Sequence, residues 1–322
     1  MNTVLNTYAA FSNNVDIRLK SSSGGLFTLL AEYIFSQNGV AYGVAMSEEC
    51  RSAVFLRANN ISELTLICGS KYLQAKVGDT FNRVKADLDA GIPVLFTGVG
   101  CQINGLKTFL GKDYENLYCV DVLCHGVPSP ALWRKYVDNF EKKNGSKLIS
   151  VNFRCKDNGW ANYRMKRIDS DNHESYSPMW KDPYMQMFLR DYCLRPSCYE
   201  CHAKIRKRSD MTIADFWGIE SVAPEMNDGK GTSLVLVRTE KGRQLFSSIK
   251  DGLDYKEVSY EDGVKENPVE YKSVERPSER DTFFDNMNKM PFEKLKNKYI
   301  KEPFWKKIGR KVTFIIRNRH LQ

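Results

Sequence analysis

Residues 92–126 read IPVLFTGVGCQINGLKTFLGKDYENLYCVDVLCHG, and this stretch decides the fold. Ile92–Thr97 is a short apolar run of the kind that makes a buried strand. Gly98-Val99-Gly100-Cys101 is a turn, Gln102–Leu110 has helical periodicity, and Leu117–Leu123 is a second apolar run ending at Cys124-His125-Gly126. Strand, helix, strand in this order implies a right-handed parallel crossover. Parallel strands place their carboxyl ends on one edge of the sheet. Cys101 and Cys124, each just past a strand end, are therefore expected to face one crevice, where such sheets bind ligands.

Upstream, Ser21-Ser22-Ser23-Gly24-Gly25 precedes a periodic segment, Leu26–Phe35, and reads as a helix start. Gly39–Met46 and Ala53–Arg57 read as strands, Ile61–Cys68 as a short helix, and Val77–Ala90 as a helix capped by Gly91. Downstream of Gly145 the character changes. Leu148–Cys155 and Tyr163–Ile168 read as strands around an Asp157-Asn158-Gly159 turn, Ser233–Val237 as a strand, Lys241–Lys250 as a helix and Tyr255–Val258 as a last strand. The expected fold class is α/β: a mainly parallel sheet half (residues 1–145), an α+β half (146–260), then a charged linker and basic amphipathic tail (261–322).

The net charge of the 322-residue chain is +9, and +8 of it falls in Pro291–Gln322, leaving +1 on the rest. A nearly neutral body argues against nucleic-acid binding. The tail interleaves its cations with Phe304, Trp305, Ile308, Phe314 and Ile315, a composition suited to peripheral contact with an anionic membrane or to packing as an amphipathic helix. No apolar stretch is long enough to span a bilayer and the N-terminus does not resemble a signal peptide. The expected compartment is the cytoplasm, with peripheral attachment at the inner membrane face as a further possibility.

Nine cysteines in a reducing compartment call for ligand or nucleophile roles rather than disulfides. Cys198-Tyr199-Glu200-Cys201 can offer two sulfurs to one metal or cluster from a single turn, or act as a redox dithiol. Cys101 and Cys124 are its natural complements, unless they are simply small buried residues. Four thiolates suit zinc or a 4Fe–4S cluster, and two isolated ligands at strand ends favour the cluster. Cys193 is a substitute candidate, while Cys50, Cys68, Cys119 and Cys155 read as packing residues. Cys124 and His125, adjacent in extended chain, point to opposite faces and make no catalytic dyad.

For anions, Ser23-Gly24-Gly25 and Gly98-x-Gly100 offer backbone N–H groups, and Ser70-Lys71-Tyr72 adds a cation beside a ring. Ile103 stands where a dinucleotide fingerprint requires its third glycine, so no Rossmann motif is present. The run Lys204-Ile205-Arg206-Lys207-Arg208 reads equally as a solvated face, a counter-charge to an anionic cluster, or a docking surface for an acidic electron carrier.

Taken together, these segments resemble the coenzyme F420 hydrogenase/dehydrogenase beta-subunit family. The blocks are Ser23-Gly24-Gly25, Ser70-Lys71-Tyr72-Leu73-Gln74, Phe96–Gln102, Cys124–Ser129, Phe153-Arg154, Gly159-Trp160, Leu194–Cys201 and Asp215-Phe216-Trp217-Gly218, in order along most of the chain. The resemblance implies an iron–sulfur flavoprotein that holds FAD and a 4Fe–4S cluster on Cys101, Cys124, Cys198 and Cys201, with coenzyme F420 as a further candidate cofactor. It also implies electron transfer between a ferredoxin-like or deazaflavin carrier and a substrate. Some bacterial members occur among surface-polysaccharide enzymes. The closely spaced cysteines of a ferredoxin-like N-terminal segment are missing from this sequence, so an external ferredoxin-like donor is expected. Gly100 stands where the family usually has Pro, and Ala75 where Ser is common. The rival reading is a non-catalytic zinc-stabilised module that uses its basic tail to bind a polyanion, membrane or partner.

Overall fold

The computed structural model describes residues 4–300. Its strands are β1 (Asn6–Ser12), β2 (Val40–Met46), β3 (Ala53–Ala58), β4 (Ala75–Lys76), β5 (Val94–Val99), β6 (Leu117–Val122), β7 (Leu148–Cys155), β8 (Arg164–Asp169), β9 (Glu174–Pro178), β10 (Met211–Asp215), β11 (Ser233–Val237) and β12 (Leu253–Glu257). Nine of them form one sheet in the order β12-β1-β11-β10-β6-β5-β2-β3-β4, and β7-β8-β9 form a second. The centre of the large sheet is parallel: β2 pairs with β5, β5 with β6, and β6 with β10. The expected α/β class with a mainly parallel sheet in the N-terminal half is what the structure has. Strands from both sides of residue 145 share that sheet, with β10, β11, β12 and β1 completing it by antiparallel pairing beyond β10.

Both faces are covered, as a parallel sheet requires. One face packs Leu95, Val120, Met211 and Val235 under the helix Leu26–Ser36, which contributes Leu26, Leu30 and Ile34. The other packs Phe55, Phe96 and Cys119 against Val84, Leu88, Ile103 and Leu106 of the helices Thr80–Asp89 and Gly100–Leu110. Trp133 and Tyr136 join that second core from the helix Pro130–Asn144. Ser129 caps this helix through Ala131 N, Pro130 opens it, and Gly145 closes it at φ +74°.

The end of the chain departs from the expected linker and tail. The helices Arg280–Lys289 and Phe292–Tyr299 bury Phe283, Met287, Phe292, Leu295 and Tyr299 in the second core. Their spacing of three, four and seven residues is an amphipathic stripe that the surrounding charges hide. Lys135 Nζ donates to the Met290 carbonyl at 2.8 Å, tying this segment to the body. Of the proposed 291–322 attachment tail, residues 291–300 are thus part of the folded body. The remainder, with Phe304, Trp305, Ile308, Phe314 and Ile315, lies outside the described residues. Among the described residues no helix is long and apolar enough to cross a membrane.

Candidate metal and cofactor site

Strand direction places the quoted segments along one edge of the large sheet. The carboxyl ends of β5, β6 and β10 lead into Gly100-Cys101, Leu123-Cys124 and Phe216-Trp217-Gly218. The antiparallel partners bring the loop Ser21–Gly25 after β1, Thr232 before β11, and the loop Ser70–Gln74 before β4 to the same edge.

Around β5 and β6 the edge opens into a hollow of about 430 Å³, including its solvent-facing mouth. Its lining includes Cys101, Cys124, Cys198, Cys201, Lys204 and Lys207. Local geometry explains how distant cysteines arrive there. The extended segment after β6 pairs with the segment leading to Cys198: Pro128 bridges Leu194, Ser129 N donates to Cys193 O at 2.8 Å, and Arg195 N to Val127 O at 3.0 Å. Gly126 permits this approach, because a Cβ there would lie 2.6 Å from Leu194 Cδ1. Val127 N then donates to Cys198 Sγ at 3.4 Å. Cys201 caps the short helix His202–Ile205, and its N–H donates to Ser273 Oγ at 2.9 Å. Ala203 of that helix would touch a Cβ on Gly100 at 3.5 Å, which packs the turn beside Cys101. Gly100 is the first helical residue, a position proline also favours, so glycine in place of the family's proline preserves the turn.

The thiols act on one another. Burial pushes the Cys124 thiol up to about 12, with Cys101, Cys198 and Cys201 adding to the rise. Cys101 opens to solvent as a residue, yet its sulfur lies among protein atoms; this burial raises its pKa, helped by Cys201 and Cys198. Mutually opposed thiolates are stable only around a cation or a cationic cluster. Among the described residues, the one cluster of three or more His, Cys, Asp or Glu ligand atoms lying within 4.8 Å of one another is Asp169, Asp171 and His173. A single zinc ion takes four sulfurs at about 2.3 Å each, whereas a four-iron cube binds each sulfur through a different iron. The all-thiolate donor set and the N–H to Cys198 Sγ fit the cube. Cys193 is fully buried in the second core, and its carbonyl accepts from Ser129 N.

The basic run does not form a uniform docking surface. Lys204 Nζ donates to the Cys124 carbonyl at 2.9 Å and to that of Val269, and Lys207 is ion-paired with buried Glu270. Both line the hollow, while Ile205, Arg206 and Arg208 face solvent. Beside them His125 Nε2 lies 2.6 Å from Asp191 Oδ1.

Next to the hollow the sheet exposes an apolar shelf. Val99, Val122 and Ile213 are in register across β5, β6 and β10. On β6, Val120 is buried beneath the helix Leu26–Ser36, but Val122, two residues on and on the same face, is 43% exposed. Val122 is thus an exposed valine on a central strand, left uncovered by the described residues. Val99 also lines the thiol hollow, so the two spaces adjoin.

The remaining predicted residues surround this edge, several already engaged. Gly24 passes so close to β1 that a Cβ would lie 2.5 Å from Ala10 O, and its N–H donates to Ser233 Oγ at 2.9 Å. Ser23 Oγ donates to Thr232 O. Gly25 caps the helix Leu26–Ser36 at φ +91°. Ser70 donates through N and Oγ to Ser22 Oγ at 2.8 and 2.9 Å, joining the two loops. Lys71 Nζ donates to the carbonyls of Leu66 and Cys68; burial lowers its pKa to about 8 against the pull of Cys68. Tyr72 packs against Phe188 with the rings tilted by 33°, and its hydroxyl accepts from Arg154 at 3.4 Å. Gly98 lies over Gln102, whose Oε1 accepts from Val99 N at 3.0 Å.

A group of cations from the small sheet completes the edge. Arg154 forks onto Asp215 at 2.5 and 3.0 Å, and Trp160 Nε1 donates to the same carboxylate at 2.9 Å. Lys156 Nζ gathers the carbonyls of Arg18, Ser23 and Lys230 at 2.5–2.9 Å, and Arg18 forks onto Asp228. Burial, then Arg154 and Arg18, lower the Lys156 pKa to about 7. The motif blocks quoted above contain Arg154, Trp160 and Asp215; Arg18 and Lys156 carry no motif.

Residues 93–262, just over half the chain, match the family described as the C terminus of the beta subunit of coenzyme F420 hydrogenase/dehydrogenase. The chain belongs to that family. Membership makes it a redox protein of the hydrogenase/dehydrogenase beta-subunit type, in line with the resemblance drawn from its motifs. Its fold is similar to a chain of the F420-reducing [NiFe] hydrogenase complex from Methanosarcina barkeri. That match has a TM-score of 0.55 and 15% identity, over 80% of this chain and 83% of that one. A search of curated proteins finds no match.

Proposed function

We propose that this protein is an oxidoreductase holding a 4Fe–4S cluster on Cys101, Cys124, Cys198 and Cys201, with FAD on the adjoining shelf. In this reading it transfers electrons between a ferredoxin-like or deazaflavin carrier and a substrate. The observation that carries the reading is the convergence of four thiols on a hollow that shares Val99 with an uncovered apolar shelf.

A flavin exchanges electrons in pairs or singly and a cluster singly, so the two together convert between carriers of each kind. The residues' own work is binding and charge compensation. Val99, Val122 and Ile213 offer a flat apolar floor to a ring system. The loops Ser23–Gly25 and Ser70–Tyr72, tied at Ser22, bound it with helix-start N–H groups and the Lys71 cation, and Gly98 and Gly100 join the floor to the thiols. Lys204 offsets the negative charge of thiolates in the hollow, while Lys207 on the same lining is paired with Glu270. Cys101 opens to solvent at the start of the helix Gly100–Leu110, and further along that helix Asn104 donates to the carbonyl of exposed Arg206 and Thr108 accepts from exposed Arg208, which suits an acidic carrier arriving on this side. Coenzyme F420 is a candidate carrier through the family's name.

Anaerobic stopped-flow bleaching of bound FAD tests the donor. Reduced ferredoxin is expected to bleach it quickly, and more slowly as salt rises, because exposed charges are screened within about 8 Å at physiological ionic strength. Fast bleaching by NADH or NADPH alone would replace the donor assignment. Protein that takes up no FAD on reconstitution would remove the flavin from the reading.

A further inference from the structure

The structure assigns to Lys204 a role in setting the reduction potential of the group held by the four cysteines, an inference that rests on the cluster reading above. Lys204 lines the thiol hollow, and its Nζ donates at 2.9 Å to the carbonyl of Cys124, itself one of the four. Its other acceptor is the Val269 carbonyl. Both partners are neutral, so neither hydrogen bond cancels the ammonium charge. Lys207, on the same lining, differs: Glu270 neutralises it, and Glu270 in turn pairs with Arg238. Asp121 also lines the hollow, and Ser209 and Thr212 donate to its Oδ1 at 2.6 and 2.5 Å.

Position adds to the argument. The short helix His202–Ile205 begins at Cys201 and ends beside Ile205, which is 71% exposed, yet Lys204 between them folds back into the hollow. A lysine side chain left to solvation would follow Ile205 outward. Adding one electron makes the site one unit more negative. A positive charge fixed against the backbone of a ligand stabilises that state, and more strongly than it would in bulk water, because protein screens charge less than water does. Lys204 therefore raises the midpoint potential. It touches no reacting atom, and its role is to tune the group held beside it.

The test is an EPR-monitored redox titration of the anaerobically reconstituted full chain, with iron and sulfide measured in parallel. Lys204→Met is expected to lower the midpoint, leaving about tenfold less reduced relative to oxidised cluster at the wild-type midpoint, which for one electron is about 59 mV. Lys204→Arg, which keeps the charge, should return close to wild type, and Lys112→Met, on an exposed lysine outside the hollow, should not move. An unshifted midpoint in Lys204→Met with full iron overturns the inference, as does an equal shift in Lys204→Arg, which would mark a packing effect. If Lys204→Met loses iron, Lys204→Gln, which can still donate to the Cys124 carbonyl, takes its place and should show the same lowering. Loss of iron from both neutral variants would make Lys204 a structural residue and overturn the tuning role. Wild-type protein without iron and sulfide would instead remove the cluster reading on which the inference stands.

Discussion

Around Cys124, four thiols face a hollow, where burial and then neighbouring thiols raise the pKa of Cys101, Cys124 and Cys198, whereas around Ser23 the polar groups bind each other. At the first region the side chains have no use for one another without a ligand. At the second, Gly24 is required by the closeness of β1, Lys71 caps carbonyls, and Lys156 staples three loops. Soft sulfur ligands serve few structural ends, so their spacing in sequence points directly to chemistry. Serine, glycine and lysine serve many, so a loop rich in them first shapes the edge, and any hold on an anion comes in addition.

The contrast predicts unlike responses to mutation. At the thiol end, Cys→Ser at position 124, 198 or 201 should abolish nearly all bound iron. Cys193→Ser should leave iron bound in the folded fraction, measured by iron and sulfide assay; loss there would bring Cys193 into the ligand set. At the other end the effect falls on stability. Arg154→Ala leaves Asp215 unpaired beside Trp160 and should cost about 3–5 kcal/mol in denaturant unfolding. A cost below about 1 kcal/mol would mean the cation group is not what holds the small sheet to the edge.

Lys156 gives a pH signature. Its pKa is lowered to about 7 in the folded protein, by burial and by Arg154 and Arg18 against the opposite pull of Asp215 and Asp228. Above that pH the unfolded chain binds more protons than the folded one. Stability should therefore rise from about pH 7 towards about pH 10, by at most about 1.4 kcal/mol per pH unit. The difference between wild type and Lys156→Met should isolate this rise, and parallel curves for the two proteins would contradict it. Smallest of all, Ser22→Ala removes the acceptor for both Ser70 donors and should cost about 1–2 kcal/mol. A fall in FAD affinity beyond that loss of stability would show the loop contacting the cofactor directly.

The parallel centre was legible because β2, β5 and β6 are continuous apolar runs, and the four cysteines because of their spacing and strand-end positions. Four strands escaped, one of them the two-residue β4 (AK). β10 (MTIAD) is short and follows a charged run, β1 (NTYAAFS) lacks β-branched residues apart from Thr7, and β9 (ESYSP) is a polar edge strand. β1 and β10 are fixed by partners far off in the chain, while β9 folds back on its neighbour β8. The helix Pro130–Asn144 did carry its signals, Ser129-Pro130 at the start and Gly145 at the end, around Leu132, Trp133, Tyr136 and Val137. The cation group had no local signal: Arg154 and Asp215 lie 61 residues apart, Arg18 and Asp228 210 apart, and only folding reveals them as pairs.

The central claim is that four thiols at the carboxyl edge of the sheet hold a four-iron cluster. Metal and acid-labile sulfide analysis of anaerobically purified full-length protein, made with ample iron, tests it most directly. The account predicts about four iron and four sulfide per chain with a brown visible spectrum. One zinc per chain without sulfide, in a colourless protein, would contradict it.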